Sequence, residues 1–210
     1  MRSSVELTLA RLALRQTTAQ RRTLWAVLLA ALPVLLAFLA RARADTPEAA
    51  LEVFGAGYTA LIVRVLLPLV ALVVGTGVFG NEVDDGTITY VLGKPVPRWR
   101  IVLVRIVAAG AMTAAVIAPA TLLSGVVAYG GFDPQGFIVA ATVATVAGSF
   151  LYCALFVALS LSTRRALVAG LAYVVVWEGS LSGFFAGTRM LSIRQYTLSF
   201  AEALSGGGEG

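Results

Sequence analysis

Residues 136–162 read GFIVAATVATVAGSFLYCALFVALSLS, a run of twenty-seven residues without one charged side chain. A membrane-spanning helix needs about 20 predominantly apolar residues, so this stretch is long enough to cross a bilayer. The whole chain has the same character: 59% of its 210 residues are hydrophobic and 13% are charged, against about 25% charged in soluble proteins. So short a chain cannot bury this much apolar surface in a soluble core. The sequence therefore predicts an all-α, polytopic transmembrane helix bundle.

Four further apolar runs predict additional crossings of the membrane. Pro119 is expected to break the third predicted span, and Gly75, Gly77 and Gly80 predict that another helix approaches the second span closely. Together the runs predict five spans in a single domain, over residues 24–40, 59–79, 103–129, 136–162 and 166–187.

The segments outside these spans are predicted to lie at the membrane surfaces. Residues 1–23 alternate arginines with apolar side chains, which is typical of an interfacial helix. A plain basic cytoplasmic tail is the alternative for this segment. For the first span, over residues 24–40, the alternative is a signal peptide cleaved near residues 42–44, but the basic region before the run is unusually long for one and the chain after it is also mostly apolar. Residues 188–210 contain no further apolar run long enough to cross, so we expect an outer tail, with residues 190–204 as a second interfacial helix.

The basic residues predict the orientation of the chain. With a cytoplasmic N-terminus, eleven basic residues lie on the cytoplasmic side and four on the outer side. Cytoplasmic loops of membrane proteins carry an excess of Lys and Arg. We therefore expect a multi-pass protein of a cell membrane, in a bacterium the plasma membrane, with its N-terminus in the cytoplasm.

The composition also excludes several kinds of site. The chain has no histidine and one cysteine, Cys153, which excludes Ser-His-Asp catalysis, zinc sites with His ligands and an internal disulfide. It contains no G-x-x-x-x-G-K-[ST] motif, so it cannot bind ATP through a P-loop. Asp84 and Asp85 lack further ligands nearby and do not predict a metal site. Nucleic-acid binding is not expected, because membrane topology already accounts for the arginines.

The longest polar connection between spans, residues 81–100, carries an ordered pattern. An acidic residue is followed by Gly-Thr, a Leu, a Pro and an Arg, and a basic residue then opens the next span. Asn81 is expected to cap a short helix over residues 82–92. The alternative is that residues 82–92 form a broken extension of the second span. The pattern consists of Glu82, Gly86, Thr87, Leu92, Pro95, Arg98 and Arg105.

This pattern resembles that of the permease subunits of type-two ABC transporters, although Arg105 stands where Lys is more common. The Trp-Glu-Gly at 177–179 and the segment 191–196 are also similar to stretches of bacterial members. The resemblance covers nearly the whole chain and implies six spans, one more than the sequence predicts. It implies that the 81–100 loop is a cytoplasmic coupling loop that docks into a separate ABC ATPase subunit. The implied coupling residues are Glu82, Asp84, Asp85, Gly86, Thr87, Leu92, Pro95, Arg98 and Arg105.

The same resemblance implies the partners and the transport role. ATP would be bound by the partner subunit, with no cofactor in this chain, and a second permease chain would complete an exporter in the lipid bilayer. The alternative from another class is a non-transporting membrane scaffold or assembly protein. A membrane-embedded enzyme is a third hypothesis, disfavoured because the spans hold no His, metal cluster or paired catalytic acids.

Arg64 and Glu178 are charged residues inside predicted spans. Charges at membrane depth are costly and usually paired or functional. From the span ends and a rise of about 1.5 Å per residue, we expect Arg64 about 8 Å and Glu178 about 13 Å below the outer surface. The sequence favours equally that they pair or line one outer cavity, and that each is accommodated separately.

Overall fold

The computed structural model describes residues 21–43, 52, 54–84, 98–130, 136–163, 165–176 and 192–205, and these residues contain no β-strand. Helix α1 spans Arg21–Arg43. A π-helical segment, Tyr58–Leu66, leads directly into α2, which spans Leu67–Asp84. The remaining helices are α3 (Arg98–Tyr129), α4 (Phe137–Ser162), α5 (Ala166–Ala172) and α6 (Ile193–Leu204).

Three of the described helices are long and apolar enough to cross a membrane. They are Phe54–Gly77, Trp99–Tyr129 and Phe137–Ser162, and they overlap the second, third and fourth predicted spans. The first predicted span lies inside the 23-residue α1, and the described part of the fifth is the short apolar helix Ala166–Val176. The prediction of an all-α membrane protein is therefore confirmed, whereas five crossings are not established.

Helix α4 lies at the centre of the bundle, and its contacts show how the neighbouring helices run. Near its start, Ile138 packs beside Phe54 and Gly125. Further along, the Cys153 Sγ lies 3.3 Å from the Thr113 Oγ1 of α3. On the second span, Gly75 also lies beside Cys153 and Phe156 of α4. The second span therefore runs parallel to α4, and α3 runs antiparallel to both, as alternating crossings require. We call the end that holds Phe54, Tyr129 and Phe137 the aromatic end, and the end that holds Asp84, Arg98 and Ser162 the loop end.

Ring contacts hold the helices together at the aromatic end. The Phe54 ring meets the Tyr129 ring edge-on at 5.9 Å between centroids and the Phe137 ring at 6.1 Å. Tyr58 meets Phe137 edge-on at 5.9 Å, and its hydroxyl donates to the Ala141 carbonyl at 3.2 Å. Edge-to-face rings are a favoured aromatic geometry, so this cluster ties the starts of two spans to the end of α3.

The second span and α4 approach each other closely at Gly75. A β-carbon at this position would lie 2.9 Å from the Phe156 Cβ and 3.6 Å from the Cys153 carbonyl oxygen. The close approach predicted at Gly75 is therefore confirmed. Small residues stabilise pairs of membrane helices because they let the two backbones approach closely. In lipid there is no hydrophobic force between helices, so the pair is held by van der Waals packing.

Two expectations about helix ends are wrong. Helix α3 continues through Pro119 without a break, since a proline in a membrane helix is tolerated where packing and local hydroxyls compensate, and Thr121 donates here to the Ile117 carbonyl at 3.0 Å. Asn81 does not cap a new helix, because α2 continues through it to Asp84, as the alternative of an extended second span expects; residues 85–92 lie outside the described residues. The polar side chains after Gly80 did not stop a helix that was already propagating, since each added residue gains a backbone hydrogen bond.

The π-helical segment was not expected from the sequence. Its last turn places the Leu67 N–H on the Ile62 carbonyl, five residues earlier. Pro68 follows directly, and proline has no N–H and crowds the carbonyl four residues before it. The widened turns thus lie where an α-helix would meet the proline ring.

Candidate functional site

The loop end brings together the two helices that flank the predicted coupling segment. Asp84 is the last residue of α2 and Arg98 the first residue of α3, and Glu82 lies in the last turn of α2. Because the two helices run antiparallel, residues 85–97 connect neighbouring helix ends. Five of the predicted coupling residues lie outside the described residues: Asp85, Gly86, Thr87, Leu92 and Pro95.

Helix α3 is longer than the membrane requires. Its 32 residues span about 48 Å at ~1.5 Å per residue, against a hydrocarbon layer about 30 Å thick. Part of α3 must therefore extend beyond that layer. The charged residues Arg98, Arg100 and Arg105 all lie in its first turns, so the extension lies at the loop end, where Arg105 is half-buried.

Trp99 and Arg100 contact each other in the first turn of α3. The Trp99 side chain is 61% exposed, and the Arg100 guanidinium carbon lies 5.4 Å from the centre of its ring. Tryptophan is enriched at membrane–water interfaces, and a cation over its ring is an attractive contact. The extension of α3 therefore begins with an exposed Trp-Arg contact that suits the membrane surface or the water beyond it, next in sequence to the predicted coupling segment.

Arg64 lies in the π-helical segment and its side chain is exposed, whereas Ile62, Val63 and Leu66 are buried. The described span begins at Phe54, five residues before the predicted start. Arg64 is therefore roughly 15 Å along the span at ~1.5 Å per residue, deeper than the sequence suggested. Glu178 lies outside the described residues, so their pairing stays a prediction.

Sequence reasoning did not identify a group of buried hydroxyls between the π-helical segment, α4 and α6. Thr145 donates to the Ala141 carbonyl at 2.7 Å, Ser149 to the Thr145 carbonyl at 2.8 Å, and Thr197 to the Ile193 carbonyl at 2.9 Å. The spacing of Thr145 and Ser149 by one helical turn was the available signal. Each of these hydroxyls donates to a backbone carbonyl of its own helix. The polar side chains can therefore be buried between helices, and the hydrogen bonds assign them a packing role rather than a catalytic one.

Helix α6 begins at a clear cap. The Ser192 hydroxyl accepts a hydrogen bond from the Gln195 N–H at 3.4 Å, as a serine N-cap does. Along one face, Thr197 and Ala201 are buried against the bundle, whereas Tyr196 and Phe200 are exposed on the other. The helix predicted over residues 190–204 is therefore observed over Ile193–Leu204.

Among the described residues, no three His, Cys, Asp or Glu side chains lie close enough together to hold a metal ion.

Comparison with known protein families gives a match that covers most of the chain. The model of a family described as ABC-2 family transporter protein matches residues 7–193. The matched region includes the three helices of membrane-spanning length and the 81–100 connection between the first two of them. No curated protein and no solved structure matches the chain.

Proposed function

This chain belongs to the ABC-2 family of transporter proteins, and we propose that it is the permease of an ABC exporter driven by a separate ATPase subunit. Members of the family are multi-pass membrane components of ABC transporters, and they generally work with ABC ATPase subunits. The observation that carries the proposal is the family match over residues 7–193. We further propose that transport is outward, that residues 82–98 couple the chain to the ATPase, and that the N-terminus is cytoplasmic.

The helices that flank residues 85–97 support a coupling role for that connection. In the proposal, the ATPase receives the 82–98 loop in a cleft, and nucleotide-driven closure pushes on the loop. Gly75 packs α2 directly on α4, and Thr113 ties α3 to α4 through Cys153. A displacement of the loop would therefore reach three spans together, because packed helices shift as units rather than deforming continuously.

The proposed arrangement pairs this chain with a second permease chain and two ATPase subunits. The cytoplasmic side would be the loop end, as the distribution of basic residues predicts. Arg105, about 10 Å along α3, would then lie near the cytoplasmic headgroup layer, where anionic lipids attract basic side chains. No cofactor is proposed in this chain, since ATP would be bound by the partner subunit.

Purification with bound partners tests the proposed function. The full chain, tagged and extracted in mild detergent, is expected to retain an ABC ATPase in a fixed ratio. A matched variant, in which residues 85–97 are replaced by a Gly-Ser linker of equal length, should reach the membrane and lose the ATPase. Retention of membrane proteins without any ATPase would instead favour the scaffold hypothesis, and equal retention by the linker variant would argue against the loop.

The predicted pairing of Arg64 with Glu178 has its own test. Reversing either charge alone should lower the folded yield and the unfolding temperature, because an unmatched charge near the middle of a span costs about 3 kcal/mol. The double variant Arg64→Glu with Glu178→Arg should recover most of the loss, as measured by size-exclusion profile and thermal unfolding in detergent. Arg64→Lys keeps the charge and serves as the control. Absence of recovery in the double variant would exclude direct pairing.

A further inference from the structure

The first half of the second span exposes a strip of side chains that ends in a charge. Ala56, Ala60 and Arg64 follow one another at intervals of four residues and are all exposed, and residues four apart share one helix face. Beyond Val65, none of residues 66–77 is exposed. We call Ala56, Ala60 and Arg64 the Arg64 strip. It begins near the aromatic end and stops at Arg64, where other helices enclose the span.

Arg64 lies near the middle of the membrane. The midpoint of Phe54–Gly77 falls within about 2 Å of it, at ~1.5 Å per residue. The hydrocarbon layer is about 30 Å thick, so both surfaces are roughly 15 Å away. Long basic side chains reach a surface from positions near helix ends, and Arg64 is not such a position. A charge at this depth generally marks a functional position and faces the bundle interior or a cavity.

The Arg64 strip differs from the lipid-facing sides of the neighbouring spans. On α3 and α4, large apolar side chains are exposed, among them Leu122, Leu123, Val126, Val139 and Val143. On the strip, by contrast, two alanines lead to the guanidinium, and a β-carbon at Gly57, beside Ala56, would meet nothing within 4 Å. Small side chains therefore leave open space along the helix up to Arg64.

From these observations we infer that the Arg64 strip receives the anionic headgroup, a phosphate or a carboxylate, of an amphiphile. The guanidinium is a planar fork that binds such oxyanions through two parallel hydrogen bonds. Val65, which is 39% exposed beside it, suits the apolar chain. An arginine carries five N–H donors, so a contact with Glu178 or with another group leaves donors for the headgroup.

This inference rests on the proposed function and names the class of substrate. When an anionic amphiphile crosses a bilayer, its charged headgroup must pass the apolar centre while its chain can stay in lipid. An unpaired charge is most costly at that depth, and an opposite charge is most effective there, because the surroundings have a low dielectric constant. Arg64 would therefore stabilise the headgroup where its passage is hardest.

A second copy of this chain is a poorer occupant of the strip. In a dimer whose twofold axis lies along the membrane normal, the same surface of each copy faces its equivalent. Arg64 would then meet the same arginine of the other copy near the bilayer centre, where like charges repel strongly. An anionic headgroup supplies the opposite charge instead.

Binding of labelled lipids to the full chain in dodecyl maltoside tests the inference. Fluorescence anisotropy would follow phosphatidylglycerol labelled on an acyl chain, with phosphatidylcholine carrying the same label as the neutral-headgroup comparison. We expect the anionic lipid to bind at least about tenfold more tightly, as a charge-assisted hydrogen bond allows. Arg64→Gln should remove this preference, and Arg64→Lys should keep part of it, because lysine retains the charge but not the fork.

Two further variants make the result specific. Arg43→Gln removes another exposed arginine, in the last turn of α1, and should leave the preference unchanged. Ala60→Phe fills the strip and leaves Arg64 in place, so it should weaken binding of phosphatidylglycerol even if Arg64→Gln folds poorly. A normal size-exclusion profile shows that each variant is folded.

Several results would overturn the inference. These are equal binding of the two lipids by the wild-type chain, equal losses in Arg43→Gln and Arg64→Gln, and displacement of the labelled lipid by a similar concentration of glycerol phosphate, which would assign the site to free anions. A changed oligomeric state of Ala60→Phe with unchanged lipid binding would assign the strip to a contact between copies. The assay contains no ATPase, so its failure is distinguishable from failure of the proposed function, which retention of the ATPase decides.

Discussion

Glu82→Lys is expected to reduce the ATP hydrolysis of the assembled transporter at least about fivefold, toward the rate of the ATPase subunit alone. The physical reason is that the proposed coupling surface would lose an acceptor and gain a repulsive charge at the end of α2, where the chain leaves the helix. Coupling free energies between sites are typically 1–3 kcal/mol, or about 5–150-fold. The measurement compares hydrolysis by the reconstituted complex with hydrolysis by the isolated ATPase, and needs no identified substrate.

Glu52→Lys is the matched control for this experiment. Glu52 is an exposed acidic residue that lies two residues before Phe54, at the aromatic end. The control variant should hydrolyse ATP at the wild-type rate. Replacing Gly86 and Thr87 together by bulky residues should repeat the effect of Glu82→Lys. If all these variants keep wild-type stimulation while the subunits remain bound, residues 82–98 do not couple the two proteins.

Gly75→Leu should be the most destabilising single change inside the bundle. Even an alanine would place a carbon 2.9 Å from the Phe156 Cβ, an atom that no change of rotamer can move. The second span and α4 must therefore separate along their length. Overpacking a well-packed site typically costs 1–3 kcal/mol, so we expect about that for Gly75→Ala and more for leucine, measured as a lower unfolding temperature in detergent.

Gly57 provides the matched control for Gly75. It lies on the same span in an ordinary right-handed helical conformation, and a β-carbon there would meet nothing within 4 Å. Because alanine favours helix over glycine by about 1 kcal/mol, Gly57→Ala should leave the unfolding temperature unchanged or slightly higher. Equal losses for Gly57→Ala and Gly75→Ala would show that the close helix contact is not what stabilises the pair.

The membrane character and the family were available from the sequence. The uncharged run at 136–162 predicted α4 to within one residue of its start, because so many apolar side chains must leave water whatever surrounds them. The order of residues between Glu82 and Arg105 resembled ABC permeases, and the family match agrees. The part of the coupling segment outside the described residues stays a prediction, as do the roles of its side chains.

The structure corrected expectations that depended on single residues. Pro119 was expected to break α3 and does not, whereas the widened turns lie before Pro68. Pro68 and Pro119 both lie inside apolar runs, so the local sequence does not predict which of the two distorts its helix. The difference depends on which neighbouring groups satisfy or replace the missing backbone hydrogen bond, and that is known only when the surrounding helices are in place.

Hydrophobicity along the chain thus determined which segments enter the membrane. A segment enters when its apolar side chains are more stable in lipid than in water, and this depends on the composition of that segment alone. Hydrophobicity did not determine how the helices meet once inside, because lipid tails and leucine side chains are equally apolar and no hydrophobic force sorts the helices. Contacts between small residues and their neighbours decide that question instead. The seating of Thr197 on Gly148, which places a polar twelve-residue helix at the centre of the bundle, is such a contact and was visible only in the tertiary structure.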